Sequence, residues 1–540
     1  MATTIEPSQN VLNGCQAGFD LSNYGEQLLH EREERTLTFR RNLNGLDRLN
    51  TPVSKRIFIS SSGSTSFISP KSSHSWHGQN DNSLSPTKLI NILNDPTHEH
   101  LNILNVLPRC DRTILSVIAN DSNVWKALLA CMVNFHSFKI EDFYLILNSL
   151  IFLFPLINQT TNEDLQISVV DEISTLFDML LENKQFLNSA LMLITVFSKA
   201  SVYARDTIIC YGIHTNIFEL IQNLINQNAD QINSELLKLL CSSFVSIFSN
   251  TEEMEDYIIQ DTLDQLLDML NSILPNMNNF QTSQIKNPNL NALYIELIEM
   301  ILQCFTSITN HNSQNSSTLC EKGIHNQILC IFDNFESNAS IISNLLLLIG
   351  NITVSQSITT KILLENGLLN KLFVLIQDEQ FTPTVFWILS NISEIHPHIM
   401  TNAIPDEFIS STISLCSNSK FEIKKEASYF VMTCILFMNP QKMHKFITDD
   451  LILIVDEMLS CGIIAIINRC IAAMLQIILL FSKDENFIKD DKLLFSFITS
   501  INDCEMMKDL ESLLETDNAI LNSRVPSLIY QLQSLLAKYE

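Results

Sequence analysis

Apolar residues recur along this chain with helical spacing, and the alternation of apolar and polar residues that is typical of strands is rare. From residue 87 onward, short amphipathic phrases such as FDML at Phe177 and FVLI at Phe373 return every 40 to 62 residues. The longest interval contains a polar insertion at residues 276–289, which predicts a surface loop. The pattern therefore predicts helical units that repeat along the chain. The phrases begin at Phe177, Phe218, Leu267, Leu329, Phe373, Ile413 and Val455.

Glycines mark the boundaries of these units. Gly212, Gly323 and Gly367 each stand six residues before a phrase, and glycine commonly ends one helix and turns the chain into the next. A helical unit of this size cannot bury its apolar face alone, so consecutive units stack into a superhelix. We predict an all-α fold, a right-handed α-α superhelix, with about ten armadillo or HEAT repeats over residues 87–533 and a short tail at 534–540.

Charge is distributed unevenly along the 540 residues. Residues 1–84 contain equal numbers of acidic and basic side chains, whereas residues 85–540 carry the whole net charge of −26. Such an acidic body repels nucleic acid and attracts basic partners. The chain has a basic segment of its own, in which Asp47 is the single acid; its cations are Arg35, Arg40, Arg41, Arg48, Lys55, Arg56 and Lys71.

The first 86 residues differ in composition from the rest. Residues 1–30 are polar and residues 51–86 are rich in serine, so we expect a mostly disordered, flexible arm that carries a basic segment at about 31–60. The first 30 residues lack the basic-then-apolar pattern of a signal peptide, and the most apolar run, residues 143–157, is interrupted by polar residues and is short for a membrane span. We therefore expect a cytosolic or nuclear protein that contacts neither membrane nor nucleic acid.

Motifs of catalysis and of metal binding are missing from the sequence. The 13 cysteines form no C-x-x-C pair, and no nucleotide-binding or hydrolase motif occurs. The histidines of His98-Glu99-His100 and His396-Pro397-His398 lack the i, i+4 spacing that places two imidazoles on one helix face. We expect buried free thiols, no cofactor, no metal and no enzymatic activity.

One tryptophan and one asparagine stand a helical turn apart. Trp387 and Asn391 are separated by four residues and so share one helix face. The indole offers a flat wall to the aliphatic stem of a lysine or arginine, and the amide can bond an extended backbone. The pair taken alone favours the other interpretation, a half-buried tryptophan beside a surface asparagine, and its place in the repeated pattern is what favours a binding role.

Several motifs resemble the importin-alpha family of armadillo adaptors for nuclear import. Residues 346–353 (LLLIGNIT), 386–393 (FWILSNIS) and 424–429 (KKEASY) are similar to consecutive repeats of that family. Residues 203–212 resemble a connection in an early repeat, and residues 501–532 resemble the final repeat.

The resemblance implies a concave groove that binds nuclear-localisation signals of cargo proteins, and a basic arm that docks on importin-beta. It also implies shuttling between cytoplasm and nucleus, with the arm competing for the groove. The larger of the family's two signal sites is altered here, with Met192, Val196, Lys199 and Ala200 at its expected positions. The groove residues implied are Trp387, Asn391, Asn351, Thr360, Glu426 and Tyr429; those of the arm are Arg35, Arg40, Arg41, Arg48, Lys55 and Arg56.

Two other functions remain open at this point. The chain can be a general armadillo scaffold that binds other partners and has a degenerate groove, or a regulatory subunit of the HEAT type. Dependence of binding on Trp387, Asn391 and Glu426 distinguishes the import adaptor from the general scaffold.

Overall fold

A computed structural model describes Arg35 and residues 84–537, apart from short stretches at 135–136, 158–161, 227–232, 250–253, 283–287, 485–486, 488–489 and 517. The described residues form helices and turns, with no β-strand among them. The chain divides into two compact units. The first unit is Asn44–His311, and the second unit contains Arg35 together with residues 312–540.

The first unit has thirteen α-helices over its described residues, with short 3-10 segments at Asn102–Arg109 and Phe154–Leu156. These helices are α1 (Pro86–Asn94), α2 (His98–Leu101), α3 (Arg112–Ala119), α4 (Ser122–Val133), α5 (Ile140–Leu153), α6 (Glu163–Ser174), α7 (Phe177–Glu182), α8 (Leu187–Ala200), α9 (Val202–Cys210), α10 (Ile213–Ile225), α11 (Ser234–Ile247), α12 (Asp256–Thr282) and α13 (Pro288–His311).

The second unit continues with fifteen helices over its described residues. They are α14 (Ser313–Glu321), α15 (Ile324–Phe335), α16 (Ala339–Ser355), α17 (Ser357–Glu365), α18 (Leu368–Leu375), α19 (Thr382–Ile395), α20 (Pro397–Ala403), α21 (Asp406–Asn418), α22 (Phe421–Phe437), α23 (Pro440–Met443), α24 (Asp449–Leu459), α25 (Ile464–Lys483), α26 (Asp491–Asp503), α27 (Met506–Leu513) and α28 (Ala519–Leu536).

Each repeat of the second unit consists of three helices, of which the third is the longest. The third helices pack on one another in sequence, α16 on α19, α19 on α22, α22 on α25 and α25 on α28. In the first unit α8 packs on α11 and α11 on α13 in the same way. The predicted helical repeats are thereby confirmed, and the repeated phrases fall in successive second helices, from Phe177 in α7 to Val455 in α24.

Part of the segment 276–289, where a surface loop was expected, is helical, and residues 283–287 lie outside the described part of the chain. Helix α12 continues to Thr282, and α13 begins at Pro288. The segment contains no glycine, and its polar residues are compatible with a helix. Polarity alone therefore did not identify residues 276–282 as helical.

Glycines turn the chain between the first and second helices, as the sequence predicts. Gly212, Gly323 and Gly367 have φ angles of 72°, 87° and 91°, and each directly precedes a helix. This left-handed conformation is strained for residues with a Cβ atom.

Asparagines begin several of the third helices. The side chains of Asn233, Asn338 and Asn518 each accept hydrogen bonds from two backbone N–H groups at the start of α11, α16 and α28. These caps satisfy donors that have no partner within a helix, and they account for part of the asparagine content of the chain.

The third helices are buried on most of their circumference. Two helical segments among the described residues, Asn291–Asn310 and Ile464–Lys483, are long and apolar enough to cross a membrane by length and composition. Of these segments, 61% and 78% are buried within the protein. A helix that is apolar all round is typical of a core position between neighbouring repeats. The few polar residues on such helices are therefore conspicuous.

Candidate functional site

The candidate site is built from polar residues on the third helices of the second unit. Helix α19 contributes Glu394, α22 contributes Glu426 and Tyr429, and α25 contributes Arg469. Because these helices pack side by side, side chains that are 35 to 75 residues apart in sequence come within hydrogen-bond distance.

Arg35, from the N-terminal segment, binds at this place. Its guanidinium forms a hydrogen-bonded ion pair with Glu426, and both side chains are only 6% exposed. The Arg35 Cζ atom also lies 3.4 Å from the centroid of the Tyr429 ring. We call Glu426 and Tyr429 the arginine site. A carboxylate together with an aromatic face binds a guanidinium by charge, by hydrogen bonding and by cation–π attraction.

A second arginine contacts the same tyrosine. Arg469 Nη2 donates hydrogen bonds to Glu394 Oε1 at 2.8 Å and to the Tyr429 hydroxyl oxygen at 2.6 Å. The Tyr429 hydroxyl lies 3.2 Å from Glu394 Oε1 and donates to it. Glu394 and Arg469 are not among the residues predicted from the sequence. The available signal was an arginine within the most apolar long helix, where a charge requires a partner.

Trp387 and Asn391 occupy a neighbouring, buried position. Trp387 is 0% exposed and Asn391 is 1% exposed. The indole lies so close to Gly350 that a Cβ atom there would stand 1.8 Å from the ring. The Asn391 amide nitrogen is 3.5 Å from both the Gly350 carbonyl and the Thr353 hydroxyl.

The two remaining groove residues lie on adjacent helices. Asn351 follows Gly350 on α16 and is buried. Thr360, on α17, is also buried, and its hydroxyl donates to the Gln356 carbonyl one turn earlier. Thus Glu426 and Tyr429 converge on Arg35, whereas Trp387 and Asn391 contact the α16 segment that contains Asn351.

The other predicted residues of the arm lie outside the described part of the chain. They are Arg40, Arg41, Arg48, Lys55 and Arg56.

The altered site of the early repeats lies on α8 of the first unit. Val196 is buried, Met192 is half-buried, and Lys199 is exposed. None of these three side chains is a carboxylate or an aromatic ring. The first unit therefore has no counterpart of the arginine site at these three positions.

Histidines and cysteines have structural contacts in the described part of the chain. His98 lies 2.6 Å from Asp142 and His396 lies 2.9 Å from the Ser357 carbonyl. Burial raises the pKa of the Cys416 thiol to about 11 and that of Cys434 to about 12. Within the described residues, no group of three or more His, Cys, Asp or Glu side chains is arranged to hold a metal ion.

Comparisons with known proteins address the fold. No protein-family profile and no curated protein matches the sequence. An engineered protein of known structure is similar over 83% of this chain and 98% of its own, with a TM-score of 0.52 and 13% identity. A β-catenin structure, from work on its interaction with cadherin, is similar over 83% of both chains, with a TM-score of 0.50 and 9% identity. A designed armadillo-repeat protein matches 48% of this chain and 99% of its own, with a TM-score of 0.35 and 18% identity. The chain has the all-α armadillo-repeat fold.

Proposed function

We propose that this protein is a nuclear import adaptor of the importin-alpha kind, which binds basic signal peptides of cargo proteins at the arginine site. One observation carries the proposal: Arg35 is bound by Glu426 and Tyr429 with both charged side chains 6% exposed. A site that binds an arginine of its own chain has the chemistry to bind one from another protein.

The physical basis is the match between the site and a guanidinium group. The Glu426 carboxylate supplies charge and a hydrogen-bond acceptor, and the Tyr429 ring supplies a face over which the cation lies. A charge-assisted hydrogen bond contributes about 1.5–3 kcal/mol. The site requires a peptide with an exposed arginine or lysine, which fits the basic signals that the resemblance implies.

The N-terminal arm is proposed to regulate this binding. Because Arg35 belongs to the same chain, the arm competes with cargo at a high effective concentration. In the proposed cycle, importin-beta binds the basic segment at 31–60, removes Arg35 from Glu426 and makes the site available. Arg40, Arg41, Arg48, Lys55 and Arg56 are proposed to contribute to that docking, with shuttling between cytoplasm and nucleus as the consequence.

The test compares the parent protein with Arg35→Ala by fluorescence anisotropy, using a labelled peptide rich in lysine and arginine. We expect the substitution to increase peptide affinity about tenfold, because it removes the internal competitor. Arg109→Ala, which removes one exposed cation from the first unit, is the matched control and should change little. If Arg35→Ala binds the peptide with the same affinity as the parent protein, the N-terminal arm does not compete for the site.

A second measurement concerns the transport partner. A peptide of residues 31–60 should retain importin-beta on beads, and the same peptide with its arginines and lysines replaced by alanine should not. If the peptide does not retain importin-beta, the proposed role in nuclear import is wrong, even if the arginine site binds basic peptides.

The burial of Trp387 and Asn391 favours a second candidate function. A residue with 0% exposure, such as Trp387, offers no face to a ligand in this structure. The alternative is a general armadillo scaffold that binds other protein partners through a different surface. Such folds are typical of non-enzymatic binding proteins, and we propose no enzymatic activity and no cofactor for either function.

A further inference from the structure

Two arginines of this protein lie over one tyrosine ring. The guanidinium carbon of Arg35 is 3.4 Å from the Tyr429 centroid, and that of Arg469 is 4.7 Å from the same point. Like charges this close repel each other unless each is neutralised separately.

Each arginine has a carboxylate of its own. Arg35 pairs with Glu426, and Arg469 pairs with Glu394 at 2.8 Å. With Arg35 in place, the described residues of the cluster comprise two cations and two carboxylates. When Arg35 leaves, Glu426 is the carboxylate whose charge is uncompensated, because Arg469 remains beside Glu394.

Arg469 is held in place by its surroundings. It projects from α25, its side chain is 1% exposed, and that of Glu394 is 0% exposed. Its hydrogen bonds to Glu394 and to the Tyr429 hydroxyl orient the tyrosine ring. A buried ion pair with these bonds is strongly destabilised by removal of one partner, so Arg469 is a permanent part of the site.

We propose that Arg469 is a specificity-determining residue that restricts the arginine site to one basic side chain. The inference rests on the proposed function, since it concerns the ligand of the same site. Arg469 occupies the second cationic position and neutralises the second carboxylate. A ligand therefore gains from one arginine or lysine at Glu426, and an additional cation beside it finds no free carboxylate. The site therefore takes one basic side chain of a signal peptide, and neighbouring basic residues of that peptide gain nothing from this cluster.

The test uses the full chain with Arg35→Ala, which vacates the arginine site. Two labelled peptides of glycine and serine are compared by fluorescence anisotropy at 0.5 M salt, one with a single arginine and one with two. High salt suppresses long-range attraction to the acidic body. With Arg469 intact, we expect the two affinities to agree within about twofold, a small difference by the standard of one charged contact.

Substitution of Arg469 should remove this restriction. In Arg35→Ala/Arg469→Met, Glu394 loses the positive charge that neutralises it, and the peptide with two arginines should bind about tenfold more tightly than the peptide with one. Lys424→Met in the Arg35→Ala chain is the matched control. It also removes one positive charge, but from α22, where Lys424 pairs with the exposed Glu457. The ratio of the affinities for the two peptides should therefore stay as it is in Arg35→Ala.

A further variant distinguishes two effects of Arg469→Met, the exposure of the Glu394 charge and the change in the space around it. Arg35→Ala/Glu394→Gln/Arg469→Met removes both partners of the buried pair, and the ratio should return to within about twofold because the second carboxylate is gone.

Three results would overturn the proposal. The first is a tenfold preference for two arginines while Arg469 is intact, a comparison that needs no substitution at position 469 and decides even if Arg469→Met does not fold. The second is a ratio that Arg469→Met leaves unchanged in a protein with a normal helical spectrum and cooperative unfolding. The third is absence of binding of either peptide to Arg35→Ala under conditions in which the peptide rich in lysine and arginine binds; if that peptide does not bind either, the proposed function is overturned as well.

Discussion

Arg35 and Glu426 form an ion pair although they are separated by 391 positions in the sequence. The pair ties a residue of the N-terminal segment to helix α22 in the second unit. Since both side chains are almost fully buried, neither charge is solvated by bulk water, and each depends on the other.

The first prediction follows from that pair. Glu426→Gln removes the charge that binds Arg35, and cleavage by trypsin after Arg35 should accelerate about tenfold because a charge-assisted hydrogen bond is lost. The measurement is mass spectrometry of the peptide that ends at Arg35. Glu407→Gln, an equivalent change at an exposed position on α21, should not alter this cleavage, and equal rates in both variants would contradict the assigned contact.

Trp387 is predicted to stabilise the fold. Because its side chain is fully buried, Trp387→Ala should decrease the free energy of unfolding by about 3–5 kcal/mol, measured by urea denaturation. A variant with parental stability and weakened peptide binding would instead identify Trp387 as an exposed wall of a peptide groove.

Gly350 is predicted to be required because of its contact with Trp387. A methyl group at position 350 would stand 1.8 Å from the indole, so Gly350→Ala should cost about 1–3 kcal/mol of stability through overpacking. The measurement is a double-mutant cycle with Trp387→Leu, which makes room for the methyl group. The loss in the free energy of unfolding of the double variant should be smaller than the sum of the losses of the two single variants. Equality with that sum would show that the two residues do not interact.

Loss of the buried ion pair of Glu394 and Arg469 should reduce the stability of the protein more than loss of an exposed ion pair. Glu394→Gln leaves Arg469 without its carboxylate in the interior and should cost about 3–5 kcal/mol. Glu379→Gln, which breaks the exposed pair with Lys420, should leave the urea midpoint unchanged. Similar midpoints for the two variants would contradict the burial of the Glu394 pair.

His214 should make the stability of the first unit depend on pH. Burial lowers its pKa below the ordinary value of 6.5, so between these two values the unfolded chain binds a proton that the folded chain does not. Stability is therefore fully present above pH 6.5 and decreases as the pH falls through this window. Urea denaturation at pH 7.5 and 5.5 measures the loss, which should be smaller in His214→Phe, and an equal loss in both proteins would remove His214 as the cause.

The sequence by itself determined the repeat and its turns. Helical periodicity depends on neighbours three and four residues apart, and the positive φ angles of Gly212, Gly323 and Gly367 require only the absence of a Cβ atom. These are local properties, so the phrases from Phe177 to Val455 were enough to predict helices that stack.

The contents of the site were decided by the tertiary structure. Glu426 and Tyr429 were identified by resemblance, but their contact with Arg35 and the place of Arg469 and Glu394 beside them were not. These side chains meet because α19, α22 and α25 pack side by side, and local patterns do not specify which side chains converge across three helices. Likewise, the spacing of Trp387 and Asn391 placed them on one helix face, whereas only the packing of α19 against α16 decided that this face is buried.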